Sequence, residues 1–199
     1  GELGPGGQKV GDAGAEVLDK QIDAGGGRFK GIRLGMAWDN NKEVANHRTN
    51  PPGDMVLRND FRTGFKHLAP RNLSYEAWCY HPQIPDVTNL ARAFPDTANI
   101  LDHFGSPIGI GPYKGKEDKV FRPWQGSIEE LAQCENVRPS LVGSNLEVTG
   151  LPWPEKQNPQ TSEDHATRTR PNMHTTIKKL GVNTRRFTHT LRAINCVSL

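Results

Sequence analysis

Apolar residues follow two alternating spacings along the chain, one typical of helices and the other of strands. Phe61, Phe65 and Leu68 recur at intervals of four and three residues, which places them on one face of a helix. The run 73–80 is short, rich in aromatic residues and ended by a His-Pro pair, which is typical of a buried strand. The same reasoning predicts helices at 12–24, 60–69, 86–94, 117–133 and 162–180. It predicts strands at 29–34, 73–80, 98–104, 136–142 and 184–188.

The order of these elements predicts the fold class. Strands alternate with helices five times, and a strand that returns through a helical crossover lies parallel to its neighbour. The pattern therefore indicates an α/β protein with a parallel sheet. A chain of 199 residues is long enough for one sizeable domain, so we predict a single domain over residues 1–199.

Two of the predicted strands lead directly into histidine. His81 follows the strand at 73–80, and Asp102-His103 stands at the end of the strand at 98–104. In parallel α/β folds the carboxyl ends of the strands and the loops after them form the site, so both imidazoles are expected to face one cavity. Imidazole titrates near neutrality, which suits a general acid/base or a metal ligand. The alternative for each histidine is a hydrogen-bonded structural role.

A cation, an aromatic ring and carboxylates occur near the same strand ends. Arg33 ends the first predicted strand, and Trp38 and Asp39 follow it. Because a guanidinium binds a carboxylate through two parallel hydrogen bonds, Arg33 is predicted to hold a substrate carboxylate, with Trp38, Asp39 and Asp102 lining the same site. The alternative is an ion pair of Arg33 with Asp39 or Asp102 that fixes the loop.

Composition narrows the class of protein without identifying a function. No run of about 18 apolar residues occurs, so no membrane-spanning helix is expected. Cys79, Cys134 and Cys196 follow no metal-binding spacing and cannot all pair with one another, which favours a reduced, cytoplasmic setting. Residues 161–199 hold seven Lys/Arg against two Asp/Glu, but a solvated surface helix explains this better than a nucleic-acid partner does.

Four motifs, taken in order, are similar to the amidohydrolase-related family, a branch of TIM-barrel hydrolases that includes dicarboxylate and sugar lactonases. The motifs are AGGGRFKGIR at 24–33, AWD at 37–39, YHPQ at 80–83 and LDHFG at 101–105. The similarity runs over residues 8–183, whereas 184–199 form a diverged tail. The resemblance implies an incomplete (β/α)8 barrel, corresponding roughly to strands 4 to 8 with their helices, and hydrolysis of a lactone, ester or amide.

The resemblance also implies roles for the two histidines. In such enzymes histidines from the fifth and sixth strands surround the reacting carbonyl, and by order His81 and His103 match these positions. A His-x-His pair and an aspartate from the last strand complete the family's site, and some members bind a divalent metal such as zinc there. This chain contains no His-x-His, and 183–190, where the last strand is expected, carries no carboxylate. We therefore expect no metal in this chain and weak or absent turnover.

Two functions from different classes remain open at this point. The first is a hydrolase for a small carboxylate-bearing substrate, in which His103 polarises or protonates the carbonyl oxygen, His81 assists and Arg33 binds the carboxylate. The alternative is a non-catalytic binding or assembly module derived from the same fold. A partial barrel exposes a sheet edge and one uncovered face, and both favour a homo-oligomer.

Overall fold

The computed structural model describes residues 11–141, 147–150 and 162–180. In chain order, the helices and strands are α1 (Gly11–Gly25), β1 (Gly31–Gly35), α2 (Asn59–Phe65), β2 (Ser74–Trp78), α3 (Ile84–Ala93), β3 (Asn99–Leu101), α4 (Glu117–Leu131), β4 (Val137–Pro139) and α5 (Ser162–Leu180). Among these residues no helix combines the length and the apolar character that crossing a bilayer requires. The predicted strand at 184–188 lies outside the described residues.

The four strands form one parallel sheet in the order β1-β2-β3-β4. The predicted α/β class with parallel strands is therefore confirmed. Each strand pairs with the strand that precedes or follows it in the chain, so every crossover returns to the adjacent position. A barrel winds in this way, whereas a doubly wound sheet reverses its strand order at a switch point.

One face of the sheet packs against the helices and forms the main core. Tyr75, Ala77 and Leu101 point to this face and are fully buried. The Phe65 ring of α2 lies 5.2 Å from the Tyr75 ring and 4.9 Å from the Phe94 ring, centroid to centroid. Other core residues from the helices are Val87, Leu90, Ala91, Trp124, Ile128 and Leu131. These apolar side chains explain why the crossover helices lie together on one side of the sheet.

The opposite face of the sheet carries charges. Side chains alternate between the two faces along a strand, and residues in register on parallel strands point the same way. Arg33 pairs in register with Glu76, Glu76 with Ile100, and Ile100 with Arg138. This face is therefore not a simple apolar surface, and the predicted homo-oligomer stays a prediction.

The strands β2 and β3 end earlier than predicted, because the backbone turns before the titratable residues. β3 ends at Leu101, and 102–105 form a helical turn in which the φ angle of His103 is +51° and that of Phe104 is +57°. β2 ends at Trp78, and a second turn holds His81–Gln83. Both histidines thus lie in turns just beyond the carboxyl ends of their strands.

The helix α5 buries a different set of residues from the one that its sequence suggests. Its apolar positions are Met173, Ile177 and Leu180, but Ile177 is 43% exposed. The fully buried position is Thr176 instead. Met173 and Leu180 are partly buried against the core, and Lys179 forms an ion pair with Glu129 of α4, with Nζ 3.0 Å from Oε1. Tertiary packing, which includes this contact with α4, therefore decides which side of α5 is covered.

Replacing Gly31 with alanine is expected to lower the free energy of unfolding by about 1–3 kcal/mol, because overpacking forces neighbouring atoms apart. Gly31 pairs with Ser74, and a Cβ atom at Gly31 would lie 2.6 Å from the Ser74 carbonyl oxygen. Urea unfolding of the Gly31→Ala variant measures the loss.

The matched control is Gly126→Ala in the interior of α4, where a Cβ atom would meet nothing within 4 Å. Alanine there restricts the unfolded chain and is expected to raise the free energy of unfolding by about 0.4–1 kcal/mol. Equal effects of the two substitutions would contradict the steric account of Gly31.

Candidate functional site

The turns that follow β1 and β2 are joined by a buried glutamine. The Gln83 side-chain oxygen accepts hydrogen bonds from the backbone N–H groups of Trp38, at 3.0 Å, and Tyr80, at 3.2 Å. Its side-chain nitrogen donates to the Met36 carbonyl oxygen, at 2.8 Å. Gln83 therefore fixes the position of Trp38 relative to the end of β2. The sequence offered one signal for this residue, which is its place in the YHPQ motif.

Arg33, Asp102 and His103 lie together at the carboxyl end of the sheet. Arg33 Nε is 3.0 Å from Asp102 Oδ2, and Arg33 Nη2 is 2.9 Å from His103 Nε2. The Arg33–Asp102 contact is short but not aligned as a hydrogen bond. Of the two ion pairs predicted for Arg33, the structure contains the one with Asp102.

The hydrogen bond from Arg33 defines the tautomer of His103. A guanidinium can only donate, so His103 Nε2 accepts, and in the neutral ring the proton is carried by Nδ1. This assignment follows from the hydrogen-bond partners. His103 thus carries its N–H group at Nδ1 in the neutral ring.

Burial changes the electrostatics of Asp102. This residue is 3% exposed, and burial raises the pKa of its carboxyl group, while the nearby Arg33 guanidinium lowers it in part. The Arg33 side chain is 39% exposed and can be reached by a ligand. The pair therefore combines a buried carboxyl group with an accessible cation.

An aromatic residue that sequence reasoning missed lies at the centre of this group. The Trp78 ring centroid is 5.8 Å from the Arg33 guanidinium carbon and 6.1 Å from the His103 ring centroid. The His47 ring meets Trp78 edge to face at 5.0 Å. Alternation could have indicated Trp78, because it lies two residues after Glu76 and so on the same face of β2 as the partner of Arg33.

His47 reaches the site from the long connection after β1. A Cβ atom at Gly35 would overlap the His47 imidazole, so the absence of a side chain there lets the ring lie against the end of β1. The backbone N–H of His47 also donates to the Ala37 carbonyl oxygen at 2.8 Å. No local sequence pattern in a polar loop shows such a contact, which explains why His47 was missed.

His81, Asp39 and Tyr113 form a second group. His81 is 6% exposed, its Nδ1 accepts a hydrogen bond from Ile108 N–H at 3.3 Å, and its ring meets the Tyr113 ring at 5.3 Å. Tyr113 Oη donates to Asp39 Oδ2 at 2.8 Å. Burial lowers the pKa of His81 to about 4, although Asp39 acts in the opposite direction, and burial with the Asp39 contact raises the pKa of Tyr113 to about 12.

The predicted site residues thus divide between two sets of contacts. Arg33, Asp102 and His103 contact one another, as shown above. Asp39 is joined to Tyr113, and Trp38 is held by Gln83. The catalytic and substrate-binding roles assigned to these residues from the sequence stay predictions.

The donor groups of this site do not fit a metal ion. His103 Nε2 is hydrogen-bonded to a cationic guanidinium, and His81 Nδ1 accepts from a backbone N–H group. Over 11–141, 147–150 and 162–180, no group of three or more His, Cys, Asp or Glu side chains is arranged to hold a metal. Metal ligands must present an unshared lone pair, which these contacts occupy.

Comparison with known proteins decides the family. The family model described as "Amidohydrolase" matches residues 1–172, most of the chain. The chain belongs to the amidohydrolase family. The predicted resemblance to this family is therefore confirmed.

Individual relatives of this amidohydrolase are longer than the chain. It is 32% identical over 131 residues to the uncharacterized protein y4mH of Sinorhizobium fredii (strain NBRC 101917 / NGR234), a match covering 66% of this chain and 40% of y4mH. An amidohydrolase of Burkholderia multivorans with bound HEPES matches with a TM-score of 0.62 and 19% identity, over 82% of this chain and 51% of that one.

A second crystal form of the Burkholderia protein, with bound zinc, matches with a TM-score of 0.56 and 21% identity, over 85% of this chain and 61% of that one. At these identities the likeness concerns the fold. It confirms a partial barrel of the amidohydrolase type. The chain spans about half the length of these proteins, and 40% of y4mH.

Proposed function

We propose that this amidohydrolase chain hydrolyses a lactone, ester or amide of a small carboxylate-bearing substrate. The observation that carries the proposal is the half-exposed Arg33 guanidinium, which is hydrogen-bonded to His103 and lies against the buried Asp102. A cation that can bind a carboxylate thereby lies next to an imidazole that can act on a carbonyl group. The location beyond the carboxyl ends of parallel strands supports the same reading.

The chemistry requires one proton donor and one proton acceptor. Water adds to the carbonyl carbon, and His103 stabilises the negative charge that develops on the carbonyl oxygen by donating from Nδ1. The bond to the leaving oxygen or nitrogen then breaks, and that atom takes up a proton. For a lactone the product is the open hydroxy acid, so the substrate and one water are fully accounted for.

The proton acceptor is the weak part of this site. Asp102 is the carboxylate beside Arg33 and His103, but it is buried against the Arg33 guanidinium, so little of its surface can be reached by a water molecule. The sequence contains no His-x-His pair, and residues 183–190 carry no carboxylate. We therefore propose that the turnover of this chain alone is weak.

Replacing Arg33 with lysine is expected to raise KM for a lactone that bears a carboxylate by about 10–100-fold, because a hydrogen bond to a charged group contributes about 1.5–3 kcal/mol. Lysine keeps the charge but loses the planar fork of the guanidinium. The measurement compares KM for γ-butyrolactone with KM for the same ring carrying a carboxylate. KM for the unsubstituted ring should not change.

The control variant is Arg92→Lys, an exposed arginine of α3 that pairs with Glu130 on the helical side. Its KM values should match those of the wild type. If KM rises by a similar factor for both lactones in Arg33→Lys, the effect does not depend on the carboxylate. That result would contradict the proposal that Arg33 binds this group.

The alternative proposal is a binding module that uses the same Arg33 group without turnover. The absence of a His-x-His pair from the sequence favours it. Titration calorimetry with succinate tests carboxylate binding independently of hydrolysis. The binding module is favoured if the wild type hydrolyses no lactone and the heat of succinate binding disappears in Arg33→Lys. Sedimentation at two protein concentrations would show whether the chain forms an oligomer.

A further inference from the structure

The turn that carries His103 has an unusual backbone. The φ angles of His103, Phe104 and Ser106 are +51°, +57° and +40°, and none of these residues is glycine. A left-handed conformation is unfavourable for a residue with a side chain, because the Cβ atom comes too close to the following carbonyl oxygen. Three such residues within four positions persist only where surrounding contacts hold them.

Helix α4 supports this turn from the helical side. The Trp124 indole is fully buried, and its Nε1 donates a hydrogen bond to the Phe104 carbonyl oxygen at 2.7 Å. This carbonyl belongs to the peptide between Phe104 and Gly105, so the bond restrains the turn one residue after His103. Ser106 N–H also donates to the His103 carbonyl oxygen, at 2.8 Å, which closes the turn internally.

His81 supports the same turn from the side of β2. Its backbone N–H donates to the Ser106 carbonyl oxygen, and its ring Nδ1 accepts from Ile108 N–H, each at 3.3 Å. The two bonds lie on either side of Pro107. The backbone bond survives any substitution of the side chain, whereas the ring bond needs an acceptor at the place of Nδ1.

The ring bond also determines which nitrogen of His81 carries the proton. A backbone N–H can only donate, so Nδ1 accepts, and in the neutral ring the proton is at Nε2. Burial, which lowers the pKa of His81 to about 4, keeps the ring neutral at neutral pH. The ring is thus a fixed acceptor for the segment that leads away from His103.

We propose that His81 is a positioning residue for His103, with Trp124 as its counterpart on the other side of the turn, rather than a second catalytic imidazole. The proposal rests on the proposed function because His103 is the residue whose geometry is being held. The sequence left two roles open for His81, one chemical and one structural, and this proposal assigns it the structural role.

Two substitutions of His81 separate these roles. In His81→Asn the amide oxygen takes approximately the place of Nδ1 and can accept from Ile108 N–H. In His81→Gln the amide lies further out, near the place of Nε2, so the bond to Ile108 is lost.

A third variant, Trp124→Phe, removes only the indole N–H. Tyr75→Phe is the matched control, because Tyr75 is fully buried and its hydroxyl contacts Met36 rather than the turn.

The primary measurement is the nitrogen NMR spectrum of the His103 imidazole in the full chain, which needs no turnover. The wild type, His81→Asn and Tyr75→Phe should show the single tautomer with the proton at Nδ1. His81→Gln and Trp124→Phe should show averaged tautomers, because the turn no longer holds His103 against Arg33. Where hydrolysis is measurable, these two variants should lose up to about 10²-fold in kcat, as expected for a misplaced group.

Two results would overturn the proposal. The first is a His103 spectrum that stays unchanged in His81→Gln and Trp124→Phe. The second is a loss of hydrolysis in His81→Asn as large as that of a His103 variant, with the His103 spectrum intact, because Nε2 of His81 would then take part in the chemistry. If His81→Gln does not fold, Trp124→Phe decides by the same criterion. A third outcome combines the expected spectra with full hydrolysis in a His103 variant. It would overturn the proposed function, but it would still show that His81 and Trp124 hold the turn.

Discussion

Replacing His103 with glycine is expected to lower kcat for lactone hydrolysis by about 10²–10⁴-fold, the range for loss of a general acid. Glycine is the appropriate substitution because it tolerates the left-handed backbone that His103 adopts, at φ +51°. The variant therefore keeps the turn while removing both the Nδ1 donor and the Nε2 atom that meets Arg33. Initial rates with the lactone that the wild type hydrolyses fastest give the ratio.

His67→Gln provides the control for the loss of a histidine. His67 lies in the connection that leads into the amino end of β2, where its carbonyl oxygen accepts from Arg71 Nη1 at 3.2 Å. Its rate should equal that of the wild type. Equal rates for the wild type and His103→Gly would remove His103 from the mechanism, since glycine has no side chain that could donate to the carbonyl oxygen.

Acidification is expected to destabilise the wild type more than His81→Asn, by about 2–3 kcal/mol between about pH 7 and about pH 4.5. Burial lowers the pKa of His81 to about 4 in the folded chain, from the value of about 6.5 that is usual for an exposed imidazole. Between these values the unfolded state binds more protons than the folded state. The stability that the neutral ring contributes is therefore complete above about pH 6.5 and is lost as the pH falls towards 4.

Urea unfolding of both proteins at the two pH values measures the difference. Asp102 acts in the opposite direction, because its pKa is raised in the folded state, and so its contribution favours the folded state as the pH falls. Asp102 is present in both proteins, so the comparison isolates His81. An Asp102→Asn variant should lose stability more steeply on acidification. If the free energy of unfolding depends on pH in the same way in the wild type and in His81→Asn, the burial of a neutral His81 ring is contradicted.

The parts of the fold that depend on local periodicity could be predicted from the sequence. The spacing of Phe61 and Phe65 gave α2, and the run that contains Tyr75 gave β2. These patterns report which side of an element is buried, and the buried side is decided mainly by the hydrophobic effect. The helix α5 departs from this rule, because the elements packed against it bury Thr176 and leave Ile177 exposed.

The candidate site could be predicted only in part, for a related reason. Arg33 lies in β1 and Asp102 directly follows β3, and both strands are neighbours of β2, so the rule for parallel sheets brings the two residues to one edge. His47 and Tyr113 come from loops, and their positions depend on contacts with residues distant in sequence. The left-handed turn at His103 was not predicted, because a residue other than glycine adopts it here only with the support of tertiary hydrogen bonds.

The hydrogen bond between Trp124 and the Phe104 carbonyl has a consequence for how such proteins are compared. Under the proposal made above, an outer helix helps to aim the imidazole to which we assign a role in hydrolysis. Two homologues could then share every residue that touches the substrate and still differ in rate. A catalogue of ligand-contacting positions alone would group them together, whereas one that also records the indole on α4 would tell them apart.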